Sequence, residues 1–123
     1  MKIKKYIIEL PTFNNSGIDV WIGDIGKSAK EAEREYDGLE IRNRVSDGCT
    51  AYTCVITHEE HGEFVLMLLP AGASFIDICH ESLHAAWFFL EVAGVKVTPK
   101  NHEVLAYLHG YIADSVRTII SKT

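Results

Sequence analysis

The sequence predicts an α+β domain: a mostly antiparallel N-terminal sheet of four to five strands with one short helix, then two long C-terminal helices. Three observations predict it. Runs rich in β-branched and aromatic residues dominate before residue 70, and helical periodicity dominates after it. The run 63–69 (EFVLMLL) is apolar on both faces, as a strand at the centre of a covered sheet must be. The chain has 123 residues and is 47% hydrophobic and 24% charged, ordinary globular usage, so a single domain over 1–123 is expected.

Each element has its own local signal. Residues 2–9 (KIKKYIIE) read as a first strand. Residues 18–25 (IDVWIGDI) alternate, with Ile18, Val20 and Ile22 on one face and Gly17 and Gly26 bounding the run. Ser28 with Glu31 three residues on is a capping box that opens a short, solvent-facing helix at about 29–36, and Gly38 supplies a stop. Runs 39–46 and 49–57 flank Asp47-Gly48, a hairpin dipeptide. HEEHG at 58–62 is a polar turn. Ser74 with Asp77 opens a helix over 75–93, apolar nearly all round and closed by Gly94. Thr98-Pro99 opens a second helix with Pro at its first position, running to about residue 120 with Leu105, Leu108, Ile112, Val116 and Ile119 at helical spacing.

Composition excludes several functions. Twelve Lys+Arg against 17 Asp+Glu give a net charge of −5, and the basic residues are scattered apart from Lys2, Lys4 and Lys5, so no nucleic-acid partner is expected. No run approaches the roughly 20 apolar residues of a membrane span, and the N-terminal segment lacks the apolar stretch of a secretion signal. Cys49, Cys54 and Cys79 are an odd number, and Cys49 and Cys54 point to opposite faces of a strand, so reduced thiols in a cytoplasm are expected.

The long apolar helix carries His80-Glu81-Ser82-Leu83-His84, the pattern H-E-x-x-H. Residues four apart lie about 40° apart around a helix, so both imidazoles can reach one metal ion, with zinc–nitrogen bonds of about 2.0–2.1 Å. Glu81 then stands beside the metal, able to take a proton from a metal-bound water. Random placement of the 6 His and 11 Glu would give about 0.025 such matches. A catalytic zinc site takes three protein ligands, and the next helix offers Asn101-His102-Glu103 near its start. Glu103, Tyr107 and Gly110 share one face of that helix. His102 shares another with Leu105, His109 and Ile112, a packing side. His84 stands about nine residues, roughly 14 Å, before its helix ends, so either the connecting loop 94–98 runs back along the first helix to bring Glu103 level with it, or that helix ends early, near Leu90; in both cases the loop is expected to be extended and packed.

HESLHAA followed by NHEVLAYLHGY resembles a minimal gluzincin-type zinc metallopeptidase, and in particular the small single-domain H-E-x-x-H proteins of tailed bacteriophages. The resemblance covers about residues 74–115. It implies a zincin-like fold, Zn2+ as cofactor, His80, His84 and Glu103 as metal ligands, Glu81 as general base and, if phage-encoded, a host-cell cytoplasmic setting. His102 beside Glu103 departs from the pattern and competes for the third-ligand place. Tyr107, one turn after Glu103, could stabilise an oxyanion or orient a ligand. Asp77, Ser82 and Asp114 are candidates to brace the ligands, and His109 a candidate donor, each with an ordinary structural reading beside it. His58 and His61 flank a turn and are expected to be solvated.

Two functions follow. One is a zinc-dependent hydrolase, a peptidase acting on a peptide or protein that docks along a sheet edge formed by a 39–57 strand. The other is a non-catalytic metal-binding phage accessory protein that acts by binding a host partner, with His102 or His109 as a further ligand.

Overall fold

The computed structural model describes residues 2–10, 16–36, 50–58 and 62–123. Strands β1 (Lys4–Leu10), β2 (Ser16–Ile22), β3 (Tyr52–His58) and β4 (Gly62–Leu69) form one sheet, with α1 (Ile25–Glu35) between β2 and β3, and α2 (Phe75–Val92) and α3 (His102–Ser121) closing the chain. The α+β class and the two long C-terminal helices are as the sequence predicts. The expected strand 39–46, the Asp47-Gly48 turn, Gly38, Cys49 and His61 lie outside the described residues.

The sheet order is β1-β2-β4-β3. Two of its three pairings are antiparallel, β1 with β2 (Tyr6 opposite Val20) and β3 with β4 (Val55 opposite Val65). The middle pair, β2 with β4, is parallel, with Val20 opposite Met67. The segment containing α1 makes the crossover that a parallel pair requires. Val65, Leu66, Met67, Leu68 and Leu69 of β4 are all 0% exposed, which places this strand at the covered centre. Val65, Met67 and Leu69 pack with Ile18, Val20 and Ile22 under α2 and α3. Leu66 and Leu68 pack with Trp21, Cys54 and Ile56 under Ala29 and Ala32 of α1. Each such side chain contributes about 1.5–3 kcal/mol on burial.

Local corrections follow from this packing. Gly17 lies inside β2 rather than before it: a Cβ there would meet Ile7 Cγ2 and Ile8 O at 3.0 Å, so a side chain would press on β1. Helix α1 starts at Ile25, capped by Asp24, whose Oδ1 accepts from Lys27 N at 2.9 Å. Ser28 is therefore no cap. It lies in the buried stripe with Ala29 and Ala32, its hydroxyl without a partner. At α2 the local reading holds, Ser74 Oγ accepting from Asp77 N at 3.1 Å. This helix is less buried than its composition suggests, since Ile76, Leu83 and Trp87 are exposed. Helix α3 starts three residues later than expected. Asn101 Oδ1 accepts from the Thr98 N–H and from Thr98 Oγ1, and Asn101 Nδ2 donates to Lys96 O at 2.6 Å, so Pro99 sits in a turn before the helix. Cys54 is buried and Cys79 half-buried. Among the described residues no helix is long and apolar enough to cross a membrane.

The side of the sheet under α1 carries a charge cluster. Lys5 Nζ lies 2.7 Å from Glu31 Oε2, 3.0 Å from Glu35 Oε2 and 4.2 Å from the Trp21 ring centre. The Lys5 hydrogen bond holds the Glu31 carboxyl below its ordinary value, against the opposing effect of burial. Burial drives the Tyr36 hydroxyl up to about 12.

Two stability tests follow. Asp24→Ala should cost about 1 kcal/mol in chemical unfolding. Ser28→Ala should be neutral or mildly stabilising, because it removes a buried hydroxyl that has no partner; the opposite ranking would restore the Ser28 cap. A depressed carboxyl contributes stability above its unfolded value and loses it as pH falls through the folded one. Melting curves across pH 3–6 should therefore show an acid-side loss that Lys5→Met reduces, by under about 1 kcal/mol for so exposed a pair.

Candidate metal centre

Helix phase decides which side chains of α2 meet solvent. Ile78, Ser82, Ala85 and Phe89 face the sheet. At about 100° per residue, His80 and His84 fall on the opposite side, and Glu81 falls between, on the flank toward β3. The structure agrees: both histidines are exposed, whereas Glu81 is only 7% exposed.

The two imidazoles converge. His80 Nε2 and His84 Nε2 lie 3.2 Å apart, with the rings edge to face at 4.8 Å between centroids. The His84 ring also stacks on Phe88, 5.9 Å between centroids and 17° between planes, which restricts its rotation. Glu81 Oε1 accepts a hydrogen bond from Thr53 Oγ1 of β3 at 2.7 Å. Its other oxygen, Oε2, lies 3.8 Å from His80 Nε2, beyond hydrogen-bond length.

The remaining sequence candidates are dispersed. His109 Nε2 lies 3.0 Å from Cys79 O. A carbonyl only accepts, so this nitrogen carries the proton, and His109 fastens α3 to α2 instead of facing the pair. The contact sets the helix register. Glu103 is six residues, about 9 Å, before His109, and for an antiparallel neighbour that places it level with about Ala85 of α2. On that register Glu103 lies near the height of His84. Around the helix, however, Glu103 stands about 180° from Ile112, which is buried with Leu108 and Val116, and its side chain is exposed. Among the described residues no group of three or more His, Cys, Asp and Glu side chains is placed to hold a metal ion. The structure brings His80 and His84 together with Glu81 beside His80 and leaves Glu103 apart from them. His102 is likewise exposed, and Tyr107 is 77% exposed on the outer side of α3.

Asp77 does not brace His80: its Oδ1 accepts from Thr50 Oγ1 at 3.1 Å. The Ser82 hydroxyl is buried without a partner, and Asp114 pairs with Arg117 at 2.8 Å. A cavity of about 620 Å³ lined by Lys2, Ile3, Lys27 and Lys30 lies beside α1, on the other face of the sheet from the histidines. Sequence reasoning misses the contact of Thr53 with Glu81. Its signal is weak: a polar residue within the strand run YTCVI, on the face that alternation assigns to α2.

No family model, curated protein or solved structure matches this chain.

His109→Ala should lower unfolding stability by about 1 kcal/mol through the lost bond to Cys79 O; unchanged stability in chemical unfolding would show that the bond does not fasten the helices.

Proposed function

We propose that this protein is a zinc-dependent hydrolase that cleaves peptide bonds. The observation that carries the reading is the 3.2 Å separation of the His80 and His84 Nε2 atoms beside the anchored Glu81 carboxylate. Two nitrogen ligands of a tetrahedral zinc, each bonded at about 2.05 Å, stand about 3.3 Å apart. The pair thus fits one edge of such a site, and its exposed side gives an ion access. In this reading His80 and His84 would hold the ion, with Glu103 of α3 as the third donor that the resemblance implies. A zinc ion held there would supply a bound water of near-neutral pKa and a Lewis acid for a substrate carbonyl.

The chain's own groups do the rest. Glu81 Oε2, its carboxylate partner oxygen held by Thr53, takes the proton of the attacking water and returns it to the leaving amine. β3 is one of the two edge strands of the sheet among the described residues, and its Thr53 touches Glu81. An extended peptide pairing with that edge would run past the imidazoles. The phage resemblance supports a cytoplasmic setting for such an enzyme.

A second reading rests on a different observation. Ile76, Leu83 and Trp87 form an exposed apolar row beside the histidines, with Trp87 Nε1 donating to Glu91 Oε1 at 2.8 Å. A metal-binding accessory protein without hydrolytic activity would use such a row to bind a partner.

One substitution separates the readings. Glu81→Gln should keep about one zinc per chain by elemental analysis and lose hydrolysis of unstructured protein by about 10²-fold or more, while His80→Ala should lose the metal. Wild-type protein that takes up no zinc, or Glu81→Gln with undiminished hydrolysis, would overturn the enzymatic reading.

A further inference from the structure

We infer that Thr53 is the positioning residue for Glu81, fixing which carboxylate oxygen faces the metal pair; this inference rests on the hydrolase reading above. Glu81 is 7% exposed and Thr53 is equally buried, at 7%. A carboxylate withdrawn from water needs a hydrogen-bond donor. The Thr53 hydroxyl has one proton, with two acceptors in range: Glu81 Oε1 at 2.7 Å and the Glu81 backbone carbonyl at 3.5 Å. The shorter, charge-assisted bond takes it.

That bond selects one rotamer. With Oε1 held toward β3, Oε2 points to the imidazole side, 3.8 Å from His80 Nε2. Nothing on α2 itself enforces this, because a glutamate has three side-chain torsions and the terminal one is soft. The hydroxyl, by contrast, is on a stiff, β-branched side chain. Its strand is tied into the sheet opposite Met67 of β4. A second tie, Thr50 Oγ1 to Asp77 Oδ1 at 3.1 Å, lies one helical turn earlier on the same flank of α2. The two hydroxyl-to-carboxylate bonds, at Asp77 and Glu81, hold the strand and the helix in one relative position. Thr53 therefore transmits the rigidity of the sheet to the carboxylate that handles the proton, without touching substrate or metal.

The test uses Thr53→Val, which keeps shape and removes the hydroxyl, and Thr53→Ser, which keeps the hydroxyl. In the zinc-loaded protein Thr53→Val should lower kcat about 10- to 100-fold, with KM and zinc content close to wild type, and Thr53→Ser should recover most of the loss. In the metal-free protein, a double-mutant cycle of Thr53→Val with Glu81→Leu should show a coupling of about tenfold in the unfolding equilibrium constant. Wild-type kcat in Thr53→Val, alongside an inactive Glu81→Gln, would overturn this inference and leave the hydrolase reading standing. Absence of coupling in the cycle would overturn it by removing the bond. A wild-type protein that binds no zinc or hydrolyses nothing would overturn both.

Discussion

The structure depends on covering β4 from both sides. Five consecutive residues, Val65 to Leu69, alternate between the two faces of the sheet, and all are fully buried. A strand of that kind cannot sit at an edge or face water on one side. It draws α1 onto one face through Leu66 and Leu68, and α2 with α3 onto the other through Val65, Met67 and Leu69. The phase of α2 follows from that contact. Once Ile78, Ser82, Ala85 and Phe89 are turned to the sheet, His80 and His84 must be turned to solvent and Glu81 must lie against β3.

This division of roles is what makes the motif chemically interesting. The imidazoles lie where an ion can reach them, and the carboxylate between them in sequence is withheld from water and oriented by a hydroxyl from the sheet. A histidine pair on a helix surface is unremarkable as a structural element, because its gain in solvent is small. A buried glutamate has a desolvation cost that packing alone does not repay, and the Thr53 hydroxyl offsets part of it. The proposed third donor, Glu103, shares the height of the pair but belongs to the outer side of α3, so its recruitment depends on side-chain reach rather than on the fold.

Local signals were legible where nothing distant competed with them. Ser74 caps α2 as its sequence indicates, and the apolar spacing of Leu108, Ile112 and Val116 marks the buried side of α3. At α1 the Ser28-Glu31 pair had the pattern of a capping box, but Asp24 caps the helix one turn earlier, which frees Ser28 to face the sheet beside Ala29 and Ala32. At α3 the proline pattern pointed to residue 99, but the Asn101 side chain closes a turn onto Lys96 and Thr98, and the helix begins beyond it. Both misreadings concern boundaries, where two local hydrogen-bond patterns of similar strength compete and packing selects one.

The sequence alone determined the class of the fold, the central strand, the two C-terminal helices and the convergence of His80 with His84, because each follows from periodicity within a single element. Tertiary structure decided the rest: the parallel pairing of β2 with β4, the burial of Glu81, its bond to Thr53 28 residues earlier in the chain and the outward position of Glu103. Those features depend on how separate elements are rotated and stacked against one another, and spacing along one element carries no information about that rotation.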